Sequence, residues 1–243
     1  DLHSTSRRQR QMCIRDSTSS AVLSLLQDSN GFLWMGTCDG VNIYDGTKAY
    51  SWNGWGQLNL SGYIIEEILE THDGVIWVQT NYGLSKVDKE KRLVVDYPQF
   101  KGSYMMVKNE LGNLFFFSSS NLLYAFNEKK QEFYRLPIGT LDREDIVNLY
   151  VNEHYLIIFL KNEIIYYQMK HSPEGEYTLS TINTSEKTEV RYGFGDKNQV
   201  YWLDKDYNLF GYSLDKPVKK LICNWKEALD GRGTCLLYTS DAA

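Results

Sequence analysis

One string occurs twice in this chain, and that recurrence limits the fold more than any other feature. Asp28 to Asp45 reads as a turn, a short run ending in Trp34-Met-Gly-Thr, a second turn at Gly40 and a further apolar run. It returns, more loosely, from His72 to Asp88. Gly31, Trp34, Gly40 and Asp45 map onto Gly74, Trp77, Gly83 and Asp88 at one constant offset of 43 residues. Each glycine falls where the chain must reverse, and a positive φ costs glycine nothing.

The runs between the turns have strand length. The first unit reads as strands over 22–26, 32–37, 41–44 and 48–52, the second over 64–69, 75–80, 84–87 and 93–97. Later units keep the rhythm and lose the motif. Asn109 to Phe115 stands in for the first turn and second strand of a third unit. A fourth runs through 146–151, 156–160 and 163–168, and a fifth through 191–195, 200–203, 209–213 and 219–222. Four short strands repeating at this period are the signature of a β-propeller. The expected fold is therefore all-β: a partial β-propeller of about five four-stranded antiparallel blades, at 19–53, 63–97, 104–136, 145–182 and 190–224. Five such blades form an open arc or incomplete ring with exposed edges, or else a small closed ring.

Composition agrees with a packed β domain. The chain is 42% hydrophobic and 14% aromatic with only 4 prolines, which argues against disorder. Its net charge of −5 gives no basic footprint for nucleic acid. No apolar run reaches the eighteen or so residues that span a bilayer. The ends fall outside the pattern. Residues 1–17 and 235–243 resemble translated sequencing-adapter tails and are set aside as non-native, leaving 18–234 as the propeller region. Of the four cysteines this leaves Cys38 and Cys223, too far apart in sequence to suggest a disulfide framework or a metal site.

The box from Val22 to Asp45, Val-x-Ser-Leu-x-Gln-Asp-x-x-Gly-x-Leu-Trp-x-Gly-Thr-x-Asp-Gly-Val-Asn-x-Tyr-Asp, resembles the two-component regulator propeller repeat. The match is strong over 19–53, good over 63–97 and degenerate beyond 104. The resemblance implies the extracytoplasmic, ligand-sensing part of a hybrid two-component regulator of the kind Bacteroidetes use for glycan sensing. The implied parent protein is a membrane-anchored homodimeric histidine kinase, its sensor region periplasmic and its ligand an oligosaccharide involved in polysaccharide utilisation. It implies no catalytic role for this segment.

The motif residues themselves read as construction. Trp34 and Trp77 sit mid-strand at equivalent positions and are expected to fill the gap between neighbouring blades. Asp28 and Asp73 precede turn glycines and are expected to accept bonds from nearby backbone amides. His72, His154 and His171 lie in different units without metal-ligand spacing. Asp204, Asp206 and Asn208 mimic the start of a calcium loop, but Leu209 replaces the required glycine and Asp215 the bidentate glutamate. No cofactor, metal or catalytic residue is assigned, and Gly193 and Gly195 read as an isolated pair within a strand.

Binding falls to the residues between the repeats. In propellers the turns joining strands two and three, and the segments crossing from blade to blade, emerge on one face. Here they carry Asp39, Asn81, Tyr82 and Tyr207 on turns, and Trp52 and Trp55 at the first crossing, where Trp52 also reads as the end of an outer strand that merely packs. Aromatic rings beside amides and carboxylates suit a saccharide, which stacks its C–H faces on the ring while polar neighbours take its hydroxyls. The other readings are a propeller lyase or hydrolase, which needs acid–base groups converging from several blades, and a protein-interaction scaffold, which needs an apolar face.

Overall fold

Alternating apolar and polar residues, punctuated by glycine and Asx turns, place nearly all of this chain in strands. The computed structural model describes residues 21–52, 54–55, 58–181, 186–215 and 218–228. Both end strings, 1–17 and 235–243, lie outside the described residues. The first sheet is a meander of β1 (Val22–Gln27), β2 (Leu33–Thr37), β3 (Gly40–Tyr44) and β4 (Ala49–Trp52). A two-residue hairpin follows, β5 (Gly54–Trp55) against β6 (Leu58–Asn59). The second sheet orders β7 (Ile65–Glu70), β8 (Ile76–Thr80), β9 (Gly83–Asp88) and β10 (Leu93–Tyr97).

The third sheet orders β11 (Tyr104–Lys108), β12 (Leu114–Phe117), β13 (Leu123–Asn127) and β14 (Glu132–Arg135). The fourth orders β15 (Ile146–Val151), β16 (Tyr155–Leu160), β17 (Glu163–His171) and β18 (Tyr177–Thr181), and the short β19 (Glu186–Lys187) also pairs with β17. The fifth orders β20 (Tyr192–Asp196), β21 (Gln199–Leu203), β22 (Asn208–Ser213) and β23 (Lys219–Asn224), with one helical turn after it, α1 (Trp225–Ala228). The protein is all-β, five successive four-stranded antiparallel sheets, as a partial propeller requires. Among the described residues no helix is long and apolar enough to cross a membrane.

The chain divides into two compact units. One holds the described residues up to Met106 together with Phe116–Ser120, the other Val107–Phe115 and those from Asn121 onward. The division runs through the third sheet.

In the first unit the repeat explains its own packing. Trp34, Val41, Ile43 and Trp52 of the first sheet form one buried cluster with Ile65, Ile68, Ile76 and Val78 of the second. Trp34 thus fills the space between the two sheets. Gly36, two residues on, is what lets the next strand in: a β-carbon there would lie 2.6 Å from Ile65 Cγ2. The second unit repeats the device. Ile157, Phe159, Ile164 and Tyr166 pack on Val200 and Trp202, and a β-carbon on Gly193 or Gly195 would meet the Phe159 ring at 2.1 Å or the Tyr150 ring at 2.2 Å. That pair of glycines, uninformative in the sequence, is therefore a packing requirement.

One turn chemistry survives where the motif decays. Asp28 Oδ1 accepts the amides of Asn30 and Phe32, and Asp73 Oδ1 that of Val75. Asn109 does the same for Asn113, Asn152 for His154 and Tyr155, and Asp204 for Asp206 and Asn208. The first turns of the first four sheets, and the β21–β22 turn of the fifth, are closed by an Asx side chain, which binds backbone amides that the strand ladder leaves unpaired. The calcium-like string at Asp204 is one of these turns.

Asp28 has a second task. Its Oδ2 accepts the Trp34 indole N–H at 2.9 Å and the Lys89 ammonium at 2.9 Å. Lys89 also donates to Glu70 Oε1, which with Oε2 takes the hydroxyl and amide of Ser29. Lys89 thus joins a turn of the first sheet to the end of β7. Burial alone would raise the Asp28 pKa, but the bonds from Lys89, Trp34 and Phe32 outweigh it and hold the carboxyl below its ordinary value. Burial likewise works against the Lys89 ammonium, and its bonds to Glu70 and Asp28 outweigh that, raising its pKa.

Candidate functional site

The turns between strands two and three have the same construction in the first two sheets. In Thr37-Cys-Asp-Gly40 the Thr37 hydroxyl donates to the Gly40 carbonyl and accepts the Asp39 amide. In Thr80-Asn-Tyr-Gly83 the Thr80 hydroxyl does both for Gly83 and Tyr82. Asp39 and Tyr82 are therefore equivalent positions, 43 residues apart, projecting from turns of one geometry.

The segment crossing from the first sheet to the second is fastened to both turns. The Gly40 amide donates to the Tyr63 carbonyl at 2.6 Å, and the Asn81 amide to that of Ile64 at 3.1 Å. Ser61 is bonded to the hydroxyls of Thr80 and Ser85, and Ser85 donates to Asp96. Gly62 has no room for a side chain, since a β-carbon would lie 2.6 Å from Asn81 Oδ1. Tyr63 and Tyr82 are held by this frame with their rings outward, 55% and 44% exposed. Their centroids are 6.2 Å apart and their planes tilted by 52°. Lys101 Nζ lies 5.0 Å from the centre of the Tyr82 ring.

Together Asp39, Asn59, Leu60, Ser61, Gly62, Tyr63 and Tyr82 line an open cleft of about 410 Å³, within the range for small-molecule sites. It presents two aromatic faces at an angle, a carboxylate, a hydroxyl and backbone groups. Asp39 is the one carboxylate among its described lining residues.

Of the residues singled out in the sequence, Asp39 and Tyr82 meet in this cleft. Asn81 supports it from behind, its Oδ1 accepting the Ile64 amide at 3.3 Å. Trp52 is 8% exposed and packs edge-on against Trp34 with centroids 5.3 Å apart, so it ends the outer strand β4 and packs in the core, the second of its two sequence readings. Trp55 stands in β5, opposite Leu58, where a crossing loop was expected. Tyr207 belongs to the second unit. Its φ is +65°, and the Arg191 guanidinium and the Lys226 ammonium lie 4.6 and 4.8 Å from its ring centre. Tyr63 and Ser61 were missed. Neither recurs at the repeat offset, and bonds to Gly40, Thr80 and Ser85 bring them in.

Among the described residues no group of three or more His, Cys, Asp or Glu side chains is placed to hold a metal ion, and Cys38 and Cys223 are free thiols.

Sheets of this plan joined by such crossings define a propeller-type repeat protein. Its first repeat is of a named kind: residues 16–39 match the family model described as a two component regulator propeller. No curated protein matches the chain. Among solved structures, the extracellular domain of a hybrid two component system from B. thetaiotaomicron aligns over 87% of this chain and 36% of its own length, at TM-score 0.54 and 16% identity. The chain thus spans about a third of that domain. Virginiamycin B lyase from Staphylococcus aureus aligns over 83% of this chain and 70% of its own length, at TM-score 0.55 and 10% identity. The β-propeller domain of Myceliophteria thermophila Cps50 (Swd1) aligns over 86% and 74%, at TM-score 0.59 and 11% identity. At such identities the likeness is one of fold.

Proposed function

We propose that this chain is a ligand-sensing part of the extracytoplasmic, periplasmic region of a hybrid two-component signalling protein, and that its ligand is an oligosaccharide. The observation that carries the reading is the cleft at Asp39, Ser61, Tyr63 and Tyr82. Two half-exposed rings at 52° offer stacking surfaces to a sugar, and the carboxylate and hydroxyl beside them are hydrogen-bonding groups for its hydroxyls. The two component regulator propeller match over residues 16–39 supports the signalling context. In this reading the parent protein is a membrane-anchored homodimer with an attached kinase, and ligand binding biases it between two states by differential affinity. The segment itself binds and does not catalyse.

Calorimetric titration of the full chain with a broad oligosaccharide panel tests this. Saturable binding of at least one saccharide, weakened by Tyr82→Ala, is the expected result. Absence of binding across the panel, or turnover of a bound saccharide, contradicts it.

A further inference from the structure

The second unit has a cleft in the repeat position that the tyrosine cleft occupies in the first. It lies where the turn joining strands two and three of the fourth sheet, the crossing segment, and the same turn of the fifth sheet meet. Its volume is about 220 Å³, and it is lined by Lys161, Asn162, Glu189, Val190, Arg191 and Lys205. The frame is again fixed by backbone bonds: the Val190 amide donates to the Lys161 carbonyl at 2.8 Å, Thr188 to Asn162 at 3.2 Å and Arg191 to Leu203 at 2.7 Å. The side chains have changed character. Three cations face one anion, and Glu189 is already bridged to Lys205 at 3.0 Å.

Lys161 and Arg191 have no acidic partner among the described residues, although the chain as a whole carries net charge −5. Arg191 is also held in place. Its guanidinium lies 4.6 Å from the centre of the Tyr207 ring. Tyr207 is itself fixed, its amide bonded to the Asp204 carbonyl and its carbonyl accepting the Trp225 amide. Holding a guanidinium over a ring limits its rotamers, so less freedom is lost when it meets an anion. The Asn162 side chain, bonded to no described residue, adds an amide donor at the same wall.

The geometry points to this cleft as a subsite for an oxyanion, the carboxylate or sulfate of an acidic saccharide, with Lys161 and Arg191 as its ligands and Tyr207 as the positioning residue behind Arg191. The saccharide half of this assignment rests on the function proposed above; the anion half does not. Planar oxyanions suit a guanidinium, which donates two parallel bonds to them. A cleft this small admits one charged sugar residue, so the subsite selects among saccharides by charge.

The test is calorimetry on the full 243-residue chain with digalacturonate, neutral digalactose and inorganic sulfate. At about 50 mM salt digalacturonate should bind about tenfold more tightly than digalactose, an advantage that shrinks at about 500 mM as screening grows. Arg191→Gln and Lys161→Gln should each remove about a tenfold of affinity, the worth of one charge-assisted hydrogen bond, with unchanged far-UV circular dichroism. Tyr207→Leu should weaken the acid and leave any digalactose affinity alone. Equal affinity for acid and neutral sugar overturns the assignment, as does an acid preference that survives both cation substitutions, or no binding of either anion. Sulfate binding that depends on Arg191, without any saccharide binding, upholds the anion subsite and removes the oligosaccharide reading. Saccharide binding that is sensitive to Tyr82→Ala and indifferent to Arg191 does the reverse.

Discussion

Replacing Lys89 with methionine tests whether one ammonium fastens the first two sheets together. The substitution keeps most of the aliphatic stem and removes both 2.9 Å contacts, to Asp28 Oδ2 and Glu70 Oε1. The two carboxylate side chains are 0% and 10% exposed, so their charges are left largely out of water. Stranding a buried charge typically costs about 3–5 kcal/mol. Two features reduce that here. Asp28 keeps three other donors, from Asn30, Phe32 and Trp34, and Glu70 keeps two from Ser29. Lys89 is itself 16% exposed, so water reaches its end of the network. The expected loss is about 2–3 kcal/mol, or about 4–12 °C in melting temperature for a chain of this size.

The pH dependence gives the sharper check. The folded pKa of Asp28 is depressed, so its contribution is complete above its unfolded value of about 4 and is lost as pH falls through the folded one. The folded pKa of Lys89 is raised, so its contribution is complete below about 10.4 and is lost as pH rises through the folded one. The network therefore operates between about pH 4 and 10. Urea titrations followed by tryptophan fluorescence should show a constant gap between wild type and Lys89→Met at neutral pH. Below about pH 4 the gap should narrow, because protonation relieves the stranded carboxylates. A gap under about 0.5 kcal/mol, or one unchanged between about pH 3 and 7, would show that Lys89 does not fasten the two sheets.

Three further substitutions separate scaffold from site. Gly36→Ala puts a β-carbon 2.6 Å from Ile65 Cγ2 and should cost about 1–3 kcal/mol by denaturant unfolding, with part recovered when Ile65→Ala is added. Trp52→Ala should cost about 3–5 kcal/mol and leave saccharide affinity unchanged in the cold, since the ring is core. Tyr82→Ala should do the opposite, moving stability by less than about 0.5 kcal/mol while weakening saccharide binding in the same calorimeter.

The blades were legible because their signals are local. Period-two alternation and turn glycines placed most strands within a residue or two, even in the repeats that had lost the tryptophan box. Turn closure was legible for Asp28 and Asp73 for the same reason, since an Asx side chain bonds amides a few residues away. What escaped needed partners distant in sequence. Lys89 follows a motif aspartate and gives no sign that its ammonium lies between Asp28 and Glu70. Gly193 and Gly195 look idle until Phe159 and Tyr150 are laid against them. Trp52 ends the strand read over 48–52 and packs into the core, while Trp55, in the glycine-rich stretch that read as loop, is drawn into a hairpin. At the cleft the turn reading put Asp39 and Tyr82 on exposed turns, while Ser61 and Tyr63 are brought to them by the crossing segment alone.

The proposed saccharide site lies where the strand two–three turns of the first two sheets and the crossing segment meet. Hydrogen exchange of the full chain, with and without the saccharide that binds best, tests this directly. Slower exchange is expected at the amides of 38–40, 59–64 and 81–83, and at those near Arg191 when the saccharide is acidic. Unchanged exchange in these segments, or protection confined to the outer strands β4 and β10, contradicts it.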